Sequence, residues 1–246
     1  MNISDINFTT TRIEAIESGK HLATATGFFF KIDSVEYLVT NRHVVIDENQ
    51  GYHPEHFRIL LHANRQDLTN NNAITLSLYD DQKNPLWLEH PAYSKLLCDV
   101  VAIPMTRRAL SGKNYEAFIN SSIITFSERL TEIPDINPFG DVVVVGYPLG
   151  FSDHFHNLPV YRKAMIASQY GVGFRDKPYF LVDANLHPGT SGSPVVNSHH
   201  TLLKEIGSKE AYKLFGMHSA QHLVDEEPLG LNVVWYSYLI PEIIKR

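Results

Sequence analysis

A single cysteine, Cys98, stands in the whole chain, so no disulfide can close within it, and the disulfide framework of small secreted domains is excluded. Long apolar runs are also missing: no stretch reaches the roughly 18 residues that a membrane-spanning helix needs. The opening MNISDINFTTTRIEAIESGK has neither a basic segment nor an apolar one that would direct export. These absences give the expectation of a cytoplasmic chain with no membrane partner. Basic charge is short: 21 Lys and Arg face 27 Asp and Glu, for a formal net charge of −6. With no basic run longer than two residues, a partner held through phosphate contacts is disfavoured, nucleic acid first among them. The histidine pairs His53/His56, His154/His156 and His199/His200 have metal-like spacing, but they lie in polar loops without a thiolate or carboxylate set. No metal and no cofactor is expected.

What is present is ordinary globular usage, 43% hydrophobic and 20% charged residues in 246. That length fits one large domain or two lobes of about 100 to 120 residues. Short strand-like segments separated by turn residues recur along the chain, so the expected class is all-β. In the first half TATGFFFKI (24–32) and VEYLVT (35–40) flank Asp33 and Ser34 and read as a hairpin. FRILLHA (57–63), AITLSLY (73–79), PLWLE (85–89) and DVVAIPM (99–105) follow. The second half offers DVVVVGY (141–147), VYRKAMIASQY (160–170), PYFLVDA (178–184), SPVVN (193–197), KLFGMHS (213–219) and LNVVWYS (231–237). Between them a more polar stretch carries Gly112, Pro134 and Pro138 and reads as a connection, giving lobes at 1–110 and 141–246 joined by 111–140. SYLIPEIIKR suggests a short terminal helix with Pro241 near its first turn.

The chemistry centres on HPGTSGSP (187–194), where Ser191 and Ser193 compete as nucleophiles. A serine hydroxyl is weak until an imidazole takes its proton, and the imidazole works best when a buried carboxylate fixes its tautomer. His43 in YLVTNRHVV is the favoured imidazole, because it directly follows an apolar strand. Asp99 lies inside the apolar run LLCDVVAIPM, where an unpaired carboxylate would cost several kcal/mol, so it needs a partner. Asp141 also opens an apolar run, but it follows Pro138, Phe139 and Gly140 and is explained as a turn residue.

Taken in order, TGFFF, YLVTNRHVV, DVVAI, VGYPLG, HPGTSGSPVV and FGMHS resemble the landmarks of chymotrypsin-like serine peptidases over roughly residues 22 to 240. The similarity is to bacterial trypsin-like peptidases without disulfides, including the Deg/Htr and glutamyl endopeptidase types. The order His, Asp, Ser fits that fold and not the α/β-hydrolases. The resemblance implies two six-stranded antiparallel β-barrels with a short C-terminal helix. It also implies a serine endopeptidase working through an acyl-enzyme, with His43, Asp99 and Ser191 as triad and the amides of Gly189 and Ser191 as oxyanion hole. Ser193 would be a small spacer. Thr190 stands where digestive relatives carry an aspartate that pairs with a newly cut N-terminus, so activation by such cleavage is not expected. The substrate side chain would meet Asn185, Leu186 and His218, while Ser219, Ala220 and Gln221 would pair with a polypeptide substrate as an added strand. Nothing at Asn185 offers the carboxylate that Arg or Lys at P1 would need. His218 points instead to P1 Glu or Gln. A protein activator encoded elsewhere is compatible with this pattern. The alternative is a protein of peptidase fold that holds a peptide without cutting it.

Overall fold

The computed structural model describes residues 3–131, 139–197, 212–225 and 227–245, without the side chains of 129 and 130. Strands dominate it. In the first half β1 (Thr10–Glu17), β2 (Lys20–Ile32), β3 (Val35–Thr40), β4 (His56–His62), β5 (Asn71–Ser77), β6 (Leu88–Glu89), β7 (Val101–Pro104) and β8 (Phe126–Ser127) form one sheet. Its order is β5-β4-β1-β2-β3-β7-β6, with β8 paired in parallel to β2. In the second half β9 (Asp141–Gly146), β10 (Val160–Ile166), β11 (Tyr179–Asp183), β12 (Pro194–Asn197), β13 (Leu214–Val224) and β14 (Glu227–Tyr236) close into an antiparallel barrel.

Six-stranded closure is expected of both halves, and only the second has it. The first sheet stays open between β5 and β6. Between those edges the structure has an isolated Tyr79–Pro85 bridge and the bond from Leu86 N–H to the Leu78 carbonyl at 2.9 Å. Pro85 has no N–H to donate, and β6 is only two residues long, so a full ladder cannot form there.

The hairpin read at 24–40 is real. Asp33 and Ser34 both take left-handed φ values, 48° and 70°, and Ile32 pairs with Val35 as a two-residue turn requires. The strand β1 carries no signal that separated it from the polar N-terminal stretch. Besides short 3-10 turns, the described residues form four short α-helices: α1 (Arg42–Val45), α2 (Tyr93–Leu96), α3 (Lys113–Ile119) and α4 (Leu239–Ile244). Pro241 is the third residue of α4, where its missing N–H has no intrahelical partner to lose. Within the expected connection, α3 packs on β5 and β8 pairs with β2, and residues 132–138 lie outside the described residues.

The run Phe28-Phe29-Phe30 shows how the halves meet. Successive strand residues face opposite sides. Phe29 joins the core of the first sheet with Phe57, Trp87 and Phe118, whereas Phe28 and Phe30 face Leu214, Trp235 and Ile243 in a core shared by both halves. A separate cluster of Phe180, Phe215 and Tyr236 fills the second barrel. The cleft that carries the site lies on the seam of these packed units.

Candidate active site

His43 sits on α1, a single helical turn after β3, rather than at the strand end that its sequence context suggests. The turn is pinned by its neighbour: Arg42 pairs with Glu48 at 2.7 Å and Glu89 at 3.1 Å, and stacks over Tyr93 at 4.4 Å. Asp99 comes to His43 from the residues before β7. One carboxylate oxygen accepts the His43 backbone N–H at 2.9 Å, and the other accepts Nδ1–H at 2.7 Å. That second oxygen also accepts the Ser219 hydroxyl at 2.6 Å, and Asn41 Nδ2 ties down the Asp99 carbonyl at 2.7 Å. The partner that burial of Asp99 demands is therefore threefold. The sequence resemblance assigns Ser219 a role only through its backbone, and nothing in the sequence marks its side chain as a support of Asp99.

A carboxylate can only accept, so the Nδ1 proton is fixed on His43 and Nε2 of the neutral ring carries the free lone pair. Burial pulls the His43 pKa down, but the hydrogen bond and charge of Asp99 outweigh it, with help from Asp47, and the result is above the ordinary imidazole value. Ser191 and Gly189 line the same cleft of about 390 Å³ as His43, together with Ala15, Leu22, Thr24 and Tyr52. Ser191 Oγ donates to the Ser219 carbonyl at 3.0 Å. The hydroxyl makes this bond rather than one to the imidazole, as catalytic hydrogen bonds in substrate-free sites often form only with substrate. Asp141 takes no part: it opens β9 and pairs with Lys163 at 2.9 Å.

The loop around Ser191 has its carbonyls tied on every side. Leu149 N–H bonds the Pro188 carbonyl at 2.6 Å, so the Gly189 N–H, on the opposite edge of that trans peptide, is turned away from Leu149. The Thr190 carbonyl accepts His218 Nδ1–H at 2.9 Å and the Ser193 N–H at 3.0 Å, which turns the Ser191 N–H away in the same manner. Gly189 has φ +91°, and a Cβ there would sit 2.7 Å from Leu149 N and Tyr147 O, so only glycine fits. Ser193 is fully buried, as a spacer would be, and its Oγ has no partner. The Thr190 hydroxyl bonds the His187 carbonyl at 2.7 Å, so this side chain is satisfied within its own loop.

His218 is buried, and burial lowers its pKa against the opposing effects of the Thr190 carbonyl and the Asn232 side chain. Its Nε2 is buried and makes no well-formed hydrogen bond, although the Asn232 side chain is close enough to raise the pKa of the ring. Asn185 and Ala220 are exposed and Leu186 half-buried, and none of these three nor His218 lines the cleft that holds His43 and Ser191. Cys98 is buried in the shared core and its thiol is pushed up to about 12, which keeps it inert near neutral pH. Among the described residues no three His, Cys, Asp or Glu side chains come together as a metal set, and His199 and His200 lie outside the described residues. No described helix is long and apolar enough to cross a membrane.

Residues 25–203 match the model of the trypsin-like peptidase domain family, a span that contains His43, Asp99 and Ser191. The chain belongs to that family. The peptidase is by class a serine-type endopeptidase, a hydrolase. None of the curated proteins matches it. Among solved structures it is similar to the Rv3671c protease of Mycobacterium tuberculosis H37Rv in an inactive mutant form, at 14% identity and TM-score 0.52, covering 98% of this chain and 86% of that one. It is also similar to a serine endoprotease from Yersinia pestis, at 16% identity and TM-score 0.54, covering 97% and 62%. A third is the HtrA-type protease AlgW with a tripeptide, at 14% identity and TM-score 0.54, covering 97% and 60%. The peptidase thus spans under two thirds of the latter two chains, and at these identities the likeness is one of fold.

Proposed function

We propose that the peptidase cleaves polypeptides through an acyl-enzyme on Ser191, with His43 as general base and Asp99 as the carboxylate that orients it. The observation that carries this is the 2.7 Å bond from His43 Nδ1 to Asp99, with Ser191 on the same cleft. In this reading the Ser191 proton passes to His43 Nε2 as Oγ bonds to the substrate carbonyl carbon, and the oxyanion is met by the Gly189 and Ser191 amides. His43 then protonates the leaving amine. Water repeats the sequence to release the acyl group and restore Ser191. The bonds that hold the carbonyls of Pro188 and Thr190 within the chain support a hole that is preformed in this reading.

The substrate would add as a strand beside β13, whose ladder with β12 ends at Pro194–Met217 and which is exposed from Ala220 onward. Asn185, Leu186 and His218 would frame P1. With its Nδ1 proton committed to Thr190, a neutral His218 has only the lone pair of its buried Nε2 to offer, an acceptor that a P1 side chain reaches once the pocket opens and that suits the amide of Gln better than the carboxylate of Glu. Cleavage profiling with a peptide library tests this: Gln is expected to lead, Glu to gain as the pH falls and His218 takes a second proton. A dominant preference for Arg or Lys would overturn the pocket.

A further inference from the structure

Thr26 lies on β2, in the half of the molecule that carries His43, and is fully buried. Its polar atoms are nevertheless spent on the loop that carries Ser191. The backbone N–H donates to the Ser191 carbonyl at 2.9 Å, and Oγ1 donates to the Gly189 carbonyl at 2.8 Å. The same Oγ1 accepts the Tyr147 N–H at 3.0 Å, at the end of β9. From behind, Thr40 Oγ1 fixes the Thr26 carbonyl at 2.9 Å.

The direction of the Thr26 proton follows from its neighbours. An amide N–H can only donate and a carbonyl can only accept, so the hydroxyl hydrogen must go to Gly189. We propose that Thr26 is a positioning residue for the oxyanion hole, its hydroxyl holding the peptide that joins the two donor amides.

The Gly189–Thr190 peptide is the pivot of the loop. Gly189 has no side chain to bias its backbone, and at φ +91° it has other low-energy conformations within reach. Leu149 anchors the peptide before it and His218 the peptide after it, while the pivot itself is held at its carbonyl by Thr26 and at its N–H by the His187 carbonyl at 3.2 Å. The packing leaves no slack around this clamp. A Cβ on Gly192 would lie 2.0 Å from the Thr26 carbonyl, and one on Gly146 would lie 2.9 Å from Thr26 Oγ1 and 2.0 Å from Ser193 Oγ. Thr26 also indexes one half of the molecule to the other. Ser191 belongs to the second barrel and His43 to the first sheet, and this residue bonds the Ser191 loop directly to the strand beside β3, from which α1 departs. Thr26 opens the TGFFF landmark, but nothing in the sequence shows that its hydroxyl reaches the Ser191 loop.

The inference rests on the reading of Ser191 as nucleophile, and the test distinguishes the two. Thr26→Val keeps shape and backbone N–H but removes the hydroxyl; Thr26→Ser restores it. Thr26→Val is expected to lower kcat about 10- to 100-fold with KM nearly unchanged, since the loss falls on groups that act only in the transition state. Binding of a peptide boronate, which mimics that state, should weaken to a similar extent. Binding of an uncleaved peptide, measured in the Ser191→Ala background, should not change. Thr26→Ser is expected to recover kcat and boronate affinity. If Thr26→Val does not fold, Thr26→Ala, which leaves room for water, carries the same expectation. A variant that is merely less heat-stable, with kcat per titrated site and boronate affinity as in wild type, overturns the assignment of Thr26. Wild type that hydrolyses no peptide and binds no boronate overturns the reading of Ser191 instead.

Discussion

Asp99 is the residue on which the site turns, because three donors spend their protons on its side chain and a fourth holds its backbone. Replacing it by Asn keeps the shape but offers an amide N–H where His43 needs an acceptor. The ring would turn to the wrong tautomer, so Asp99→Asn is expected to lower kcat by about 10⁴-fold. The pH profile carries the sign of the same interaction. His43 acts as a base only when neutral, so kcat/KM should rise through its pKa as pH increases. Asp99 raises that pKa above the ordinary imidazole value, so the rise should come later than for a free imidazole. In Asp99→Asn the residual activity should rise at lower pH than in wild type, because burial is then opposed only by the charge of Asp47. A limb that stays in place would show that Asp99 does not set the His43 pKa. Asp99 was legible in the sequence because an aspartate inside LLCDVVAIPM has no low-cost explanation without a partner. Its bond to Ser219 was not, since the two are far apart in sequence and Ser219 looks like any strand serine.

At the scale of elements, the strands and the nucleophile loop answer different questions. Strands that alternate or run apolar were legible over most of both halves, because burial on one or both faces writes itself into a period of two. The open side of the first sheet was not legible: whether β5 and β6 meet depends on Pro85 and on a two-residue β6, and PLWLE reads as a full strand from hydrophobicity alone. The loop 187–194 was legible as chemistry but not as geometry. Its conformation depends on Leu149, Thr26 and His218, which come from β2, β13 and the turn after β9. Gly192 concentrates that dependence, with φ +84° and a Cβ site 2.0 Å from the Thr26 carbonyl and 2.5 Å from Thr40 Oγ1. Gly192→Ala must shift backbone on both sides. It is expected to lose well over about 1 kcal/mol of stability in denaturant unfolding, with hydrolysis falling further than the loss of folded protein explains. Normal kcat in a Gly192→Ala protein would show that the loop works with its backbone displaced and that this close packing does not set its geometry.

Over the whole molecule, the two halves share a core. Phe28, Phe30 and Phe126 from the first sheet pack with Leu214, Trp235 and Ile243 from the second half, and α4 returns across β7 and β6. A cleft between such halves is held by their common packing, so the halves should unfold together. The two tryptophans divide conveniently, Trp87 in the core of the first sheet and Trp235 in the shared one. Variants retaining one or the other, with Phe in the vacated place, should give coincident midpoints by fluorescence in urea; two separated transitions would mean that each half stands alone. The central claim is that this fold makes one serine a nucleophile. It is tested most directly by treating the protein with a fluorophosphonate and locating the adduct by peptide mass spectrometry. One adduct per chain is expected, on Ser191, absent from Ser191→Ala and slowed in Asp99→Asn. No adduct on folded wild-type protein, or an adduct on Ser193, would contradict it.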